Sequence, residues 1–118
     1  MTRVLYVDDE PDIREIAEMS LSLDPEFEVR TAASGAEALG AAAEWSPDII
    51  LLDVMMPGMD GPTVLARLRE EGIVTPVLFV TARAQRSEIQ GFATLDAKGV
   101  IAKPFDPVSL AAQVRAFL

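Results

Sequence analysis

Short aliphatic runs alternate with segments of helical periodicity along this chain of 118 residues, and the alternation restricts the fold more than any other feature. The runs at residues 3–7, 48–52 and 76–80 show almost no polar alternation, which favours central strands covered on both faces. The run at 27–32 is more polar and is predicted nearer an edge, and 99–102 is a brief fifth strand. The pattern predicts an α/β fold, a three-layer doubly wound arrangement of five βα units with one parallel sheet and right-handed crossovers.

Helix signals fill the intervals between these runs. The first helix is predicted over residues 11–23, because the residues Ile13, Ile16, Ala17 and Ser20 or Leu21 recur at helical spacing. Asp106 followed by Pro107 predicts the N-cap and the first position of the last helix. The other predicted helices cover residues 36–44, 62–71 and 84–95, and the last helix is expected to bury Leu110, Val114 and Phe117.

Length and charge limit the class of protein. A chain of 118 residues with 50% hydrophobic residues is expected to form a single domain with one core over residues 1–118. The net charge is -9, and residues 1–61 hold 14 acidic residues against 3 basic ones. Because nucleic-acid binding depends on neutralising phosphates with lysine and arginine, direct binding of nucleic acid is not expected.

Histidine and cysteine are absent from the chain. Their absence excludes disulfides, thiolate chemistry, histidine acid–base catalysis and the usual zinc sites, and leaves oxygen ligands for a hard cation such as Mg²⁺. The apolar run at the N-terminus is too short for a signal peptide, and no run approaches the ~18 apolar residues of a membrane span. A soluble cytoplasmic protein without membrane association is therefore expected.

Polar side chains follow four of the predicted strands. Asp8 and Asp9 follow the first strand, Asp53 the third, Thr81 the fourth and Lys103 the fifth. Ligands of an open parallel sheet bind outside the carboxyl ends of its strands, so these five residues are expected to converge. The turn after the first strand carries acids rather than glycines, which excludes a dinucleotide fingerprint and a P-loop.

Three carboxylates in one place would repel each other and raise one another's pKa unless a cation joins them. Mg²⁺ typically combines a few carboxylates with water and phosphate oxygens, so the acids predict both a metal and a phosphoryl group. Lys103 would supply a positive charge for one phosphoryl oxygen and Thr81 a hydroxyl donor for another. A carboxylate is a known nucleophile in phosphoryl transfer, where it forms an acyl phosphate.

Each residue also has a simpler interpretation when it is taken alone. Asp53 could be an ordinary acid in a turn, and Asp8 with Asp9 an acid pair favoured by a helix N-terminus. Thr81 could reflect β-propensity alone, and Lys103 could be a solvated loop charge. For three further side chains packing in the loop or core is the favoured interpretation: Met56, Met59 and Phe105.

The order and spacing of four segments resemble receiver domains of two-component response regulators, of the chemotaxis-regulator type. The resemblance covers essentially the whole chain and implies a flavodoxin-like fold with strand order 2-1-3-4-5. The four segments are Asp8-Asp9, residues 49–61 with the sequence IILLDVMMPGMDG, Thr81-Ala82 and Lys103-Pro104-Phe105.

The same resemblance implies the chemistry of the site. Asp53 would accept a phosphoryl group from a phosphohistidine of a sensor histidine kinase or a histidine phosphotransferase. Mg²⁺, with Mn²⁺ as a second candidate ion, would be bound directly by Asp9, Asp53 and the Met55 carbonyl, and by Asp8 largely through water. Lys103 would bind a phosphoryl oxygen.

A switch is also implied by the resemblance. Thr81 would move towards the phosphoryl oxygens and signal that the site is occupied, and the Lys103-Pro104 bond is expected to be cis. The family often has an aromatic switch residue where this chain has Val100, and Gly-Ala where it has Asp96-Ala97. The readout through Thr81, Val100 and Pro104 is therefore expected to differ from that of most relatives.

Three functions compete at this stage. The favoured one is a phosphoaccepting signalling domain that is not an enzyme beyond its own phosphorylation and dephosphorylation. An Asp-nucleophile phosphohydrolase would usually need a second acid where this chain has Met55, and a phosphorylation-independent interaction module would make no use of the acids. The chain is expected to be a single receiver domain without an output domain, a monomer or a phosphorylation-dependent dimer, that contacts a downstream protein target or its own missing output domain.

Overall fold

The computed structural model describes residues 1–82 and 97–118, and those residues form one five-stranded parallel sheet with helices on both faces. The strand order is β2-β1-β3-β4-β5, which confirms the predicted α/β fold and its topology. The predicted helix over 84–95 lies outside the described residues. In chain order the elements are β1 (Thr2–Val7), α1 (Pro11–Leu21), β2 (Phe27–Ala32), α2 (Gly35–Trp45), β3 (Ile49–Asp53), α3 (Gly61–Glu70), β4 (Val77–Thr81), β5 (Gly99–Ala102) and α4 (Leu110–Arg115).

The sheet separates two hydrophobic layers. Leu5 and Val7 of β1 pack into the layer shared with α2 and α3, whereas Val4 and Tyr6 pack into the layer shared with α1 and α4. Strands β3 and β4 are buried along their whole length. Each fully buried aliphatic side chain contributes roughly 1.5–3 kcal/mol through removal from water. Burial on both faces explains why these strands lack polar alternation.

The edge strand β2 has the more polar sequence that was predicted for it. Phe27 and Ala32 are buried, while Glu28 and Arg30 between them are exposed. Arg30 also lies over the ring of Trp45 with its guanidinium carbon 4.8 Å from the ring centroid, and Arg3 approaches the same ring at 5.6 Å. Trp45 is thereby held at the amino ends of the strands.

Side-chain caps begin two of the helices. The Ser34 hydroxyl accepts a hydrogen bond from the Glu37 amide at 3.2 Å, and the Glu37 carboxylate accepts one from the Ala33 amide at 3.2 Å. At the start of α3 the Asp60 carboxylate accepts a hydrogen bond from the Thr63 amide at 2.9 Å. Caps of this kind contribute about 1 kcal/mol each.

The prediction for the first helix was wrong at its C-terminal end. The helix ends at Leu21 instead of residue 23, and Ile16, one of the apolar residues at helical spacing, is 42% exposed. The side of α1 that contacts the sheet is centred on Ala17 and Leu21, both fully buried. Ile16 lies at the flank of that side, since successive residues are rotated by about 100° around a helix.

The predicted start of the last helix was also wrong, because α4 begins at Leu110. The Asp106 carboxylate accepts a hydrogen bond from the Val108 amide at 3.0 Å and so forms a turn with the residue two positions on, a common competitor of helix capping. Leu110 and Val114 are buried as expected. Phe117 is half-buried and covers Gly99, where an added Cβ would lie 2.5 Å from the ring.

The absence of a membrane-spanning segment was predicted from the sequence, and the lengths of the helices bear on it. Within residues 1–82 and 97–118, the helices are all too short or too polar to span a lipid bilayer.

Candidate functional site

Three carboxylates meet at the carboxyl ends of β1 and β3. Asp8 follows β1 directly and is fully buried, Asp53 ends β3 and is 4% exposed, and Asp9 is half-buried at the rim. The register aligns Val7 with Leu52, so the next residues, Asp8 and Asp53, lie side by side. One oxygen from each of the three acids lies within 4.8 Å of the others.

Asp8 is held by donors on both of its oxygens. Its Oδ2 accepts hydrogen bonds from the Tyr6 hydroxyl at 3.0 Å and from Lys103 Nζ at 2.7 Å. Its Oδ1 accepts one from the Glu10 amide at 3.0 Å, and its main-chain carbonyl accepts one from the Arg14 guanidinium at 2.8 Å. The orientation of Asp8 is therefore set by three elements of the fold.

Lys103 connects β5 to the acids. Besides its contact with Asp8, its Nζ lies 3.4 Å from Asp53 Oδ2. Burial acts to lower the pKa of Lys103, but the hydrogen bond to Asp8 and the charges of both acids outweigh it and raise the pKa, so the ammonium stays charged. The main chain of Lys103 donates a hydrogen bond to the Thr81 carbonyl at 2.8 Å, and the Lys103–Pro104 bond is cis.

Asp53 is the acid of the site with a raised pKa. Burial, with the neighbouring charge of Asp8 as the second cause, raises the pKa of Asp53 to about 6, although Lys103 acts in the opposite direction. One lysine among three carboxylates leaves an excess of negative charge. A divalent cation with a preference for oxygen ligands fits this donor set, which suits Mg²⁺ and, by the same chemistry, Mn²⁺.

Two other predicted site residues border the acids. Thr81 ends β4 and is buried, with Asp53 on the strand to one side and Lys103 just beyond the strand on the other. Met55 donates its main-chain N–H to Asp53 Oδ1 at 3.4 Å, and its side chain is exposed.

The predicted switch residue Val100 lies deeper along β5. It pairs with Phe79 of β4, is half-buried and packs against the layer that includes α2 and α3. The loop and core positions predicted for Met56, Met59 and Phe105 agree with their packing against the two layers. Asp96 lies outside the described residues.

Sequence reasoning missed two residues at the site. Tyr6 points to the same face of β1 as Asp8, because side chains two positions apart share a face, and Phe105 meets its ring edge-on at 6.2 Å between centroids. Gly61 begins α3 so close to Asp53 that an added Cβ would lie 2.7 Å from the Asp53 carbonyl oxygen. A phenol two residues before a strand-end acid is the only signal that could have drawn attention to Tyr6.

An apolar cavity of about 400 Å³ opens beside the acids, between α1 and the segment after β5. Ile13, Ile16, Phe105 and Pro107 are among its lining residues. A second, smaller cavity shares Ile16 and Pro107 with the first and extends along α1 to Met19 and Leu23. The two together form an apolar groove that starts at Lys103.

The family model for the response regulator receiver domain matches residues 4–115. The chain belongs to this family. Receiver domains are phosphorylation-dependent signalling domains of two-component systems, and they bind Mg²⁺ at an acidic pocket. In this chain Asp8, Asp9 and Asp53 form an acidic cluster whose carboxylate oxygens could hold a metal ion.

Individual relatives agree with the family assignment. The chain is 37% identical over 116 residues to the transcriptional regulatory protein TrcR of Mycobacterium tuberculosis, covering 98% of this chain and 45% of that protein. It is 45% identical over 117 residues to the response regulator PleD of Caulobacter vibrioides, covering 96% of this chain and 25% of PleD. The structure of the chemotaxis protein CheY4 of Vibrio cholerae matches with a TM-score of 0.91 at 35% identity, covering 100% of this chain and 99% of CheY4. The receiver thus spans about half the length of TrcR and a quarter of PleD.

Proposed function

We propose that Asp53 is the phosphoacceptor of this receiver and that its phosphorylation changes the contacts that the domain makes with other proteins. The observation that carries the proposal is the position of Asp53, buried beside Asp8 with Lys103 Nζ 3.4 Å from its Oδ2. In this position a carboxylate oxygen is close to the positive charge of the Lys103 ammonium, which would neutralise an incoming phosphoryl group.

In the reaction, an oxygen of Asp53 attacks the phosphorus of a phosphohistidine. The N–P bond breaks, its electron pair stays on the imidazole nitrogen, and an acyl phosphate forms on Asp53. Loss of the signal is the attack of water on the same phosphorus, which releases inorganic phosphate and restores the carboxylate. No other turnover is proposed for the domain.

The acids hold the metal in this proposal. Asp9, Asp53 and the Met55 carbonyl would hold Mg²⁺ or Mn²⁺ directly, and Asp8, whose oxygens accept three hydrogen bonds from described residues, would act largely through water. When bound, the ion neutralises charge on the phosphoryl oxygens. Lys103 and the hydroxyl of Thr81 each bind a phosphoryl oxygen.

The signal leaves the site through Thr81 and β5. Thr81 shifts towards the phosphoryl group, and the change passes along β5 to Val100 and through Pro104 next to Lys103. Val100 fills less space than an aromatic side chain, so the readout depends on the packing of β5 more than on a ring rotation.

The donor is a sensor histidine kinase or a histidine phosphotransferase that docks in the apolar groove along α1. The groove begins at Lys103 and continues to Met19 and Leu23, which are 67% and 65% exposed. A donor seated there would place a histidine over Asp53. The downstream contact is an output domain of the same polypeptide or a separate protein, in line with the names of relatives such as TrcR.

Phosphorylation by acetyl phosphate tests the central claim. The domain incubated with acetyl phosphate and Mg²⁺ should gain the mass of one phosphoryl group, and EDTA or Asp53→Asn should abolish the gain. Asp12→Asn, an exposed acid in the first turn of α1, is the matched control and should be phosphorylated like the unmodified protein.

An adduct that survives Asp53→Asn would contradict the proposal. Multiple turnover of a small phosphate ester would favour a phosphohydrolase instead. Partner affinity that is equal with and without beryllofluoride would favour an interaction module that does not depend on phosphorylation.

A further inference from the structure

One carboxylate oxygen of Asp8, Oδ2, accepts hydrogen bonds from two side chains. Lys103 Nζ and the Tyr6 hydroxyl both donate to Oδ2, at 2.7 Å and 3.0 Å, and the side chains of Asp8 and Tyr6 are fully buried. An ionised carboxylate oxygen accepts about two hydrogen bonds, so this oxygen is saturated by the two donors. The tyrosine is the only one in the chain.

The two donors differ in what they do when a phosphoryl group arrives. Lys103 sits between Asp8 and Asp53 and has a flexible stem, so its ammonium can turn towards a phosphoryl oxygen on Asp53. Tyr6 cannot follow, because its ring is buried in the layer shared with α1 and α4 and meets the ring of Phe105 edge-on. The phenol therefore stays with Asp8 in both states.

Leaving a buried carboxylate oxygen without a donor is unfavourable, and more so than for a neutral acceptor. If the Tyr6 hydroxyl were absent and Lys103 moved away from Asp8, Oδ2 would keep neither of these two donors. With Tyr6 present it keeps one. The hydroxyl thus lowers the free energy of the state in which Lys103 binds the phosphoryl group.

We propose that Tyr6 is a positioning residue that holds Asp8 in place while Lys103 transfers from Asp8 to the phosphoryl group. The inference rests on the proposed function of Asp53 and adds a residue to it. Tyr6 does not touch the phosphoryl group and acts only through Asp8. Burial, followed by the charge and hydrogen bond of Asp8, raises the pKa of Tyr6 above its ordinary value, which keeps the hydroxyl protonated and able to donate.

Tyr6→Phe removes the hydroxyl and keeps the ring. Calorimetric titration should compare two probes, Mg²⁺ alone and beryllofluoride in saturating Mg²⁺, since only the second draws Lys103 away from Asp8. We expect Tyr6→Phe to weaken beryllofluoride binding about tenfold, the effect of one hydrogen bond to a charged group, and Mg²⁺ binding less than threefold. Ser20→Ala is the matched control, because it removes a buried hydroxyl that donates to the Ile16 carbonyl away from the site.

Three outcomes separate the inference from the proposed function. Failure of the unmodified protein to bind beryllofluoride would overturn the role of Asp53 itself. Normal binding by the unmodified protein and by Tyr6→Phe alike would overturn only the role of Tyr6. Equal losses of Mg²⁺ and beryllofluoride affinity in Tyr6→Phe would also overturn it, since a purely structural tyrosine would affect both.

The hydrogen bond of Tyr6 can also be followed in the unmodified protein, so that this test does not depend on whether Tyr6→Phe folds. Because Tyr6 is the single tyrosine, ultraviolet resonance Raman spectra report the hydrogen bonding of its hydroxyl alone. The spectrum should show a donated hydrogen bond before beryllofluoride is added and an equal or stronger one afterwards. Loss of that hydrogen bond on addition would contradict the inference.

Discussion

Asp53 is stabilised in its neutral form by the folded protein, although its proposed chemistry needs the anion. The carboxylate is 4% exposed and lies beside Asp8, which raises its pKa to about 6. An unfolded chain would hold the same group near pKa 3.9. Folding therefore disfavours the charged form of Asp53 even with Lys103 beside it, until a bound cation compensates for the burial and for the charge of Asp8.

The pH dependence of stability follows from that difference. Below about pH 4 Asp53 is protonated in both states and contributes nothing; the penalty grows between about pH 4 and 6 and is complete above pH 6. In EDTA at pH 7 we expect Asp53→Asn to raise the free energy of unfolding by roughly 1–3 kcal/mol, and at pH 4 by almost nothing. Urea titrations at both pH values measure this, with Asp12→Asn as control, and equal stabilities at pH 7 would contradict it.

Gly61 sets how closely α3 approaches Asp53. A methyl group at Gly61 would lie 2.7 Å from the Asp53 carbonyl oxygen, so the backbone that carries Asp53 would have to shift. We expect Gly61→Ala to destabilise the protein by about 1–3 kcal/mol and to slow phosphorylation by acetyl phosphate. Urea titration and the rate of phosphorylation together measure both effects.

Gly40 offers the matched control for this prediction. It lies inside α2, and an added Cβ would meet no neighbouring atom within 4 Å outside the helix's own backbone, so Gly40→Ala should stabilise the helix by about 0.5–1 kcal/mol and leave phosphorylation unchanged. Similar effects of both substitutions would show that the close approach of α3 does not position Asp53.

At the scale of elements, α1 combines an acidic outer surface with an exposed apolar flank. Ile16, Met19 and Leu23 are exposed along the groove that begins at Lys103. A polar helix that only covered the sheet would not need these residues at its surface. Ile16 and Met19 of α1, with Leu23 just after its end, form the apolar surface on which we propose that the protein donor docks.

Met19→Asp should separate protein donors from small ones. We expect transfer from the cognate phosphohistidine protein to fall about tenfold, a usual effect for a central interface residue, and phosphorylation by acetyl phosphate to stay the same. Val74→Asp, at an exposed apolar position away from the groove, is the control. Equal phosphoryl transfer to the unmodified protein, Met19→Asp and Val74→Asp would show that the donor docks outside the groove along α1.

A second link between elements joins α4 to the turn before β2. Arg115 Nε donates to Asp24 Oδ2 at 2.8 Å, and its guanidinium carbon lies 5.4 Å from the Phe27 ring centroid. The hydrogen bond from the Glu26 amide, followed by that from Arg115, lowers the pKa of Asp24. A lowered pKa in the folded state stabilises the protein above the unfolded pKa and is lost as the pH falls through the folded one.

Arg115→Gln should therefore show its effect only at higher pH. The difference in free energy of unfolding between the unmodified protein and Arg115→Gln is expected to be small at pH 7, as for other exposed ion pairs, and smaller still below about pH 4. Urea titrations across this range measure it. A difference that grew with acidification would contradict the assignment.

At the scale of the whole molecule, most of the architecture could be predicted from the sequence. Aliphatic runs such as the one before Asp53 predicted strands buried on both faces, and their alternation with helices predicted a parallel sheet with the acids at its carboxyl edge. The strand order itself came from the resemblance to receiver domains. Local patterns failed where two local structures compete. Asp106 formed a turn with Val108 instead of a helix cap, and the period of α1 could not tell whether a neighbour would cover Ile16.

The partner of Tyr6 could not be predicted for a different reason. Its hydroxyl donates to Asp8 just after the end of β1, but the proposed role of this contact depends on Lys103, which is 95 positions from Asp8 in the chain. No local pattern encodes such a three-residue arrangement. The charges of the site are separated in the chain as well, because the three acids lie within residues 1–61 and Lys103 lies in the second half.

Metal binding should stabilise the whole domain, because the cluster exists only when the sheet is formed. At an Mg²⁺ concentration 100 times the dissociation constant, the free energy of unfolding is expected to rise by about 2.7 kcal/mol. EDTA should reverse the rise, and Asp9→Asn should reduce it. Thermal melts with and without Mg²⁺ measure the effect, and an unchanged melting temperature would show that the acids do not hold the ion.

The position of Trp45, beneath Arg3 and Arg30, has a practical consequence for spectroscopic measurements of unfolding and binding. Trp45 is the only tryptophan and lies at the amino ends of the strands, whereas Tyr6 reaches into the acids at their carboxyl ends. A strand advances about 3.3 Å per residue, so the five steps from Arg3 to Asp8 separate the indole from the acids by roughly 16 Å. Indole fluorescence should consequently change on unfolding but not when a ligand binds at the acids. The single tryptophan and the single tyrosine thus report on opposite ends of the sheet.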